Sequence, residues 1–230
     1  MALDYLSICN AVLNSVNEDI FQDQTEFDAA TGVHQFIKNA VNWSISEIYR
    51  KQDNKWPFQS ATLTQVLATN GTVEYTLPAD CGSVDWNSFY IAKDALLDHP
   101  DARDLELMPW VRYREALYMS DLNADSTSYT KPSYVVRTPV DTYIISGPAE
   151  EAYTVKAFYF TKFSKLVEYD DTTDIPDEFE NVIVDGALKR VYEFRSDEAM
   201  VDKKEQQFED GVKDMRRILI PMSESMVVRN

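Results

Sequence analysis

Acids outnumber bases in this chain by 39 to 22, so carboxylate chemistry is the first possibility to weigh. Glu150-Glu151, Asp170-Asp171 and Asp174 stand close enough in sequence to suggest an acid/base pair. A general acid needs a raised pKa, and that requires burial or a neighbouring like charge. These acids lie in polar, turn-like sequence, so a solvated acidic loop is the expected state. The run 168-EYDDTTD-174 offers the hard oxygens that Ca2+ takes, but it lacks the glycine and closing glutamate of an EF-hand loop. His34 and His99 stand apart, and with Cys9 and Cys81 they show no zinc spacing. The two cysteines are expected to be reduced, buried thiols. No G-x-S-x-G, G-x-x-x-x-G-K or G-x-G-x-x-G occurs, and 6 glycines leave little for a phosphate cradle. The chemistry points away from an enzyme, with no cofactor and no metal.

Composition narrows the class. Hydrophobic residues make up 44% and aromatics 12%, enough to bury a core and too many for a disordered chain. Apolar runs are short, Val182-Ile183-Val184 for example, so no membrane span is expected. The opening MALDYLSICNAVLNSVNE carries Asp4 and no basic region, and reads as an amphipathic helix folded in a cytoplasm. A net charge of -17 argues against a basic footprint on nucleic acid. It does suit a surface that DNA passes without sticking, because an acidic wall repels phosphate.

The elements follow from periodicity. Leu6, Cys9, Leu13, Val16 and Ile20 predict a first helix. After a polar break at 22–27, Val33, Phe36, Ile37, Ala40, Val41, Ile45 and Ile48 predict a second, reaching Arg50. Asn42 falls on its polar side, and Trp43 lies off the stripe. Trp56-Pro57-Phe58 ends the helical region, because proline pushes the residue before it into extended backbone. Alternation over 61–68 and 72–77 around Asn70-Gly71 predicts a β-hairpin. Strands are expected at 86–92, 133–137, 142–146 and 153–160, a short helix at 105–119, and an exposed loop at 121–130. The last of these strands is apolar on both faces and should be central. Two more helices are expected near the end, the second capped by Ser196 with Phe208, Val212, Met215 and Leu219 as its stripe. The fold class is therefore α+β: a helical bundle from the N- and C-terminal helices, with a β-rich central lobe. The expected division is 1–58 with 175–220 as the bundle, 59–174 as the β-rich lobe, and 221–230 as an extended arm.

Several stretches together carry a resemblance: DYLSICNAVLNSVNE, IYRKQDNKWPF, VEYTLPAD, and the closing run from IPDEFENVIVDGALKRVYEF through FEDGVKDMRRIL. This arrangement resembles the head–tail adaptor proteins of tailed bacteriophages, the tail tubular, portal-docking class. The resemblance spans most of the chain and is weaker over about 95–150. It implies a structural virion protein, assembled in the host cytoplasm. It implies a homo-oligomeric ring, usually dodecameric, under the portal protein, with a β lobe towards the tail nozzle or tail tube protein. Double-stranded DNA would pass through without sequence recognition. It further implies that the C-terminal segment, here Arg216 to Asn230, reaches the portal. On that reading the contact residues are Trp56 and Phe58, the tip Asn70 and Gly71, and Arg216, Arg217, Ile218, Leu219, Ile220, Pro221 and Met222. A neck or tail-completion protein of a long-tailed phage is a close alternative. A tail-fibre attachment or carbohydrate-binding module is a more distant one, and would show an exposed aromatic patch and bind a soluble ligand. A two-acid hydrolase has no motif behind it, and would lose activity on one Asp or Glu change.

Overall fold

A computed structural model describes residues 3–51, 55–69, 71–93 and 102–220. Helices from both ends flank a β-rich middle, so the chain is α+β. It divides into two compact units, 1–59 with 163–230, and 60–162.

The helical unit holds five α-helices among its described residues: α1 Tyr5–Ser15, α2 Gln24–Asp28, α3 Gly32–Lys51, α6 Glu180–Phe194 and α7 Glu198–Leu219. Helix α1 buries Tyr5, Ile8, Cys9, Val12 and Leu13, and stops at Ser15, so Ile20 belongs to the chain beyond it. The polar break contains α2, anchored by a fully buried Phe27 that meets Tyr5 and Phe21 edge-on. Its N-terminus is capped by Asp23, which accepts from the Glu26 N–H at 3.0 Å.

Asn42 departs from expectation, because it is buried rather than on a polar face. Its amide donates to the Leu166 carbonyl at 3.0 Å, while its oxygen accepts from the Leu166 N–H at 2.8 Å. The side chain thus acts as a strand of one residue, satisfying both backbone groups of a buried leucine. This places 163–174 with the helices and not with the β lobe.

Helix α6 packs closely on both neighbours because it carries Gly186. A Cβ there would lie 2.2 Å from Ser44 Oγ on α3 and 2.9 Å from the Phe208 ring on α7. Ser44 uses that closeness to donate to the Ile183 carbonyl at 2.8 Å. The α6–α7 turn is made by Ser196 at φ +56°, and Asp197 caps α7, accepting from Met200 N–H at 3.2 Å. Ser196 is therefore the turn residue and not the cap.

Among the described residues the β unit contains two sheets that share a core. In the first, β1 Ser60–Val66 lies beside β9 Tyr153–Thr161. On the other side of β9 come β3 Cys81–Val84 and β4 Tyr90–Lys93, with β5 Arg103–Asp104 beyond β4. The second sheet runs β2 Glu74–Thr76, β8 Thr142–Ser146, β7 Tyr134–Arg137, β6 Glu106–Met108. Leu63, Phe89, Val155 and Ala157 of the first sheet's side meet Tyr75, Val135, Tyr143 and Ile145 of the second. β9 is central by its two paired edges, yet one face stays open, with Phe158 48% exposed.

The expected hairpin is not formed. β1 pairs with β9 and β2 with β8, so the two strands flanking Gly71 belong to different sheets. β9 offers β1 seven register pairs, far more than three-residue β2 can. The link is instead held by Tyr75, whose hydroxyl accepts from Ala68 N–H at 3.2 Å and donates to the Thr72 carbonyl at 3.1 Å. Three further expectations change. The strand at 86–92 begins only at Tyr90, after a turn in which Asp85 accepts from Asn87 and Ser88. The expected helix at 105–119 starts as strand β6 and becomes α4 Trp110–Ala116 after Pro109. The loop at 121–130 opens with the end of α5 Tyr118–Leu122, where Asp121 is buried and accepts from the Ser146 hydroxyl at 2.9 Å.

Candidate interaction surfaces

Asp171 accepts from the N–H groups of Val167 and Glu168 at 2.5 and 2.9 Å. The carbonyls of Tyr169 and Asp171 accept the first N–H groups of α1, from Leu6 and Tyr5 at 3.0 and 2.8 Å. Asp174 accepts from the Tyr49 hydroxyl at 3.1 Å. The cluster is a clip that closes a helix N-terminus, whose donors otherwise lack partners. Glu151 pairs with Lys93 at 2.6 Å, and that lysine holds its carboxyl below the usual range. Among the described residues no group of three His, Cys, Asp or Glu is placed to hold a metal. His34 has its ring Nε2 2.8 Å from the Asp19 carbonyl and packs on Phe21, and His99 lies outside the described residues. Cys9 is buried, which pushes its thiol well up and keeps it protonated, while Cys81 is only half-buried. No described helix is long and apolar enough to cross a membrane.

Trp56 and Phe58 sit in the helical unit. Trp56 has no exposed surface; its indole N–H donates to the Ile48 carbonyl at 2.7 Å, and its backbone N–H to Gln59 Oε1 at 3.1 Å. Phe58 stacks on it at 5.7 Å between ring centroids. Trp56 therefore offers no side-chain surface to a second molecule. It fixes how the chain leaves α3.

Asn70 lies outside the described residues; Gly71 has φ +85°. A Cβ on Gly71 would come 2.7 Å from the Tyr129 hydroxyl. Gly71→Val is expected to cost about 1–3 kcal/mol, because a β-branched residue resists positive φ. A thermal melt checks this; an unchanged melting temperature would contradict the conformation.

At the other end, Arg216, Arg217 and Ile218 are exposed, with Ile218 57% accessible. Arg216 donates to the Lys51 carbonyl, and Arg217 pairs with Asp214 at 3.2 Å. Leu219 and Ile220 pack against the core of their own unit, so the apolar run divides at Ile218. Pro221 and Met222 lie outside the described residues.

The structure adds a surface that the residue pattern hinted at only through Trp43. Phe36, Trp43 and Phe194 line an open groove of about 530 Å³ between α3 and α6. Phe36 and Phe194 stack at 4.6 Å, and the Arg190 guanidinium sits 4.2 Å from the Trp43 ring. Phe194 is 63% exposed. Phe194 is the last residue of α6, three after the buried Val191, and only its stacking on Phe36 marks it as part of this surface.

No curated protein matches the chain. A family model described as SU10 adaptor protein matches residues 3–228.

Proposed function

Since the chain belongs to the SU10 adaptor protein family, a family of phage adaptors that join other virion components, we propose that it is a structural protein of the head–tail connector. It forms a homo-oligomeric ring, a dodecamer as the resemblance to head–tail adaptors implies, beneath the portal protein. It joins the portal to the tail nozzle or tail tube and lines the channel through which DNA leaves. The family match over nearly the whole chain carries this reading. A net charge of -17 supports it, because phosphate is repelled and DNA passes without being held. The acidic clip supports a structural role, since the Asp171 carboxylate is engaged by its own loop and the Tyr169 and Asp171 carbonyls close α1.

The helical bundle serves as the ring-packing body, and Arg216 to Asn230 as the arm towards the portal. Asn70 and Gly71 mark a contact point on the link between β1 and β2, while Trp56 and Phe58 set the chain path from the bundle. Because Leu219 and Ile220 pack on the chain's own core, a truncation that tests the arm should begin after Ile220. Removing 221–230 is expected to leave the melting temperature unchanged and to weaken co-sedimentation with the cognate portal about tenfold or more. Unaltered portal binding by the truncated chain would contradict the arm.

A further inference from the structure

Strand β1 presents an edge that the rest of the β unit does not resemble. Leu67 donates to the Tyr153 carbonyl at 2.8 Å, and the register sets Val66 opposite Thr154. In an antiparallel pair the residues that exchange hydrogen bonds alternate with those that do not. Leu67 is of the first kind, so Gln65, Leu63 and Ala61 also bond inward to β9. The backbone groups of Ser60, Thr62, Thr64 and Val66 therefore point away from the sheet, and all four residues are exposed. Among the described residues no strand pairs with this side. One outward group is occupied locally: the Val66 carbonyl accepts from the Gln65 amide at 2.7 Å.

Proteins normally blunt such edges with charge, proline, a bulge or brevity. The other edges here follow that habit. β5 is two residues long, Arg103 and Asp104; β2 and β6 are three residues each and carry Glu74 and Glu106; β3 has a bulge between Cys81 and Ser83. β1 runs seven residues in unbroken register with no charge and no proline. The absence of charge extends from Trp56 through Val73, in a chain that is 27% charged.

We propose that the outer edge of β1 is a strand-pairing site for a second copy of this chain. This rests on the ring assembly proposed above and names one of its contacts. The choice of a second copy follows from charge. Two copies at -17 each repel, so their contact is cheapest where charge is absent, whereas a basic partner would be drawn to the acidic surfaces. A ring needs a head-to-tail contact, so the strand that meets β1 is a different segment of the neighbour. Main-chain hydrogen bonds supply the affinity, as in other cases of strand addition.

Thr64→Pro removes one outward N–H and leaves the β9 ladder intact, since proline is tolerated where the N–H faces outward. Thr62→Glu combined with Thr64→Glu leaves the backbone unaltered and adds like charge against an acidic neighbour. Each is melted by circular dichroism and then imaged with cognate portal across a concentration series. Both variants are expected to melt like the wild type and to need about tenfold or more protein to form rings. If Thr64→Pro fails to fold, the double glutamate variant decides. Rings at the wild-type concentration for both variants would overturn the edge contact and leave the adaptor reading standing. Normal rings that no longer bind the next tail component would also overturn it, by giving the edge to a different protein. Failure of the wild-type chain to assemble on the portal would overturn the adaptor reading and this contact with it.

Discussion

Gly186→Val is expected to destabilise the helical unit by about 3 kcal/mol, the upper end of the usual cost of overpacking. The position has no room: a Cβ would meet Ser44 Oγ at 2.2 Å and the Phe208 ring at 2.9 Å. The near side is the more serious one. Ser44 is fully buried and its hydroxyl bonds the Ile183 carbonyl, so displacing it leaves buried polar groups unpaired. Valine's second branch then presses on Phe208, which holds α7 to α6. Gly186→Ala should cost less, because it adds one methyl where valine adds three carbons. Denaturant unfolding followed by the helical signal near 222 nm distinguishes the two. A valine variant within about 0.5 kcal/mol of the wild type would mean that α3 and α6 are not in close contact.

Trp56→Ala is the second large effect, at about 3–5 kcal/mol. Trp56 is the bulkiest side chain with no exposure, and its truncation leaves a cavity beside Ile48 and Phe58. The loss also strips the Ile48 carbonyl of its indole donor. Trp56→Phe retains much of the volume and loses the hydrogen bond, so about 1–2 kcal/mol is expected. The ordering alanine, then phenylalanine, then wild type in melting temperature is the check. Equal stability of all three would place Trp56 outside the core.

The long amphipathic segments were the most legible in sequence. Ile37, Ala40, Val41, Ile45 and Ile48 on α3, and Phe208, Val212 and Met215 on α7, are buried as their spacing predicts. Strands β7, β8 and β9 also lie where alternation placed them. What sequence did not show depends on distant partners. Asn42 reads as a surface residue until Leu166, more than a hundred positions away, supplies both halves of its amide pair. Asn70-Gly71 looks like a hairpin because local turn chemistry is all that a short window contains. The competing partner for β1, strand β9, begins more than eighty residues later. Phe194 and Arg190 are ordinary helix-end residues until Phe36 and Trp43 are brought beside them. The acidic run 168–174 shows the converse: its composition reads as a solvated loop, yet the Asp171 carboxylate accepts from backbone N–H groups of that loop and the run's carbonyls accept from α1.

If this chain bridges portal and tail, it must dock on the portal. The most direct test is negative-stain imaging of the purified chain with and without its cognate portal. Rings seated on the narrow end of the portal are expected. A chain that stays unassociated with the portal at high concentration would contradict it.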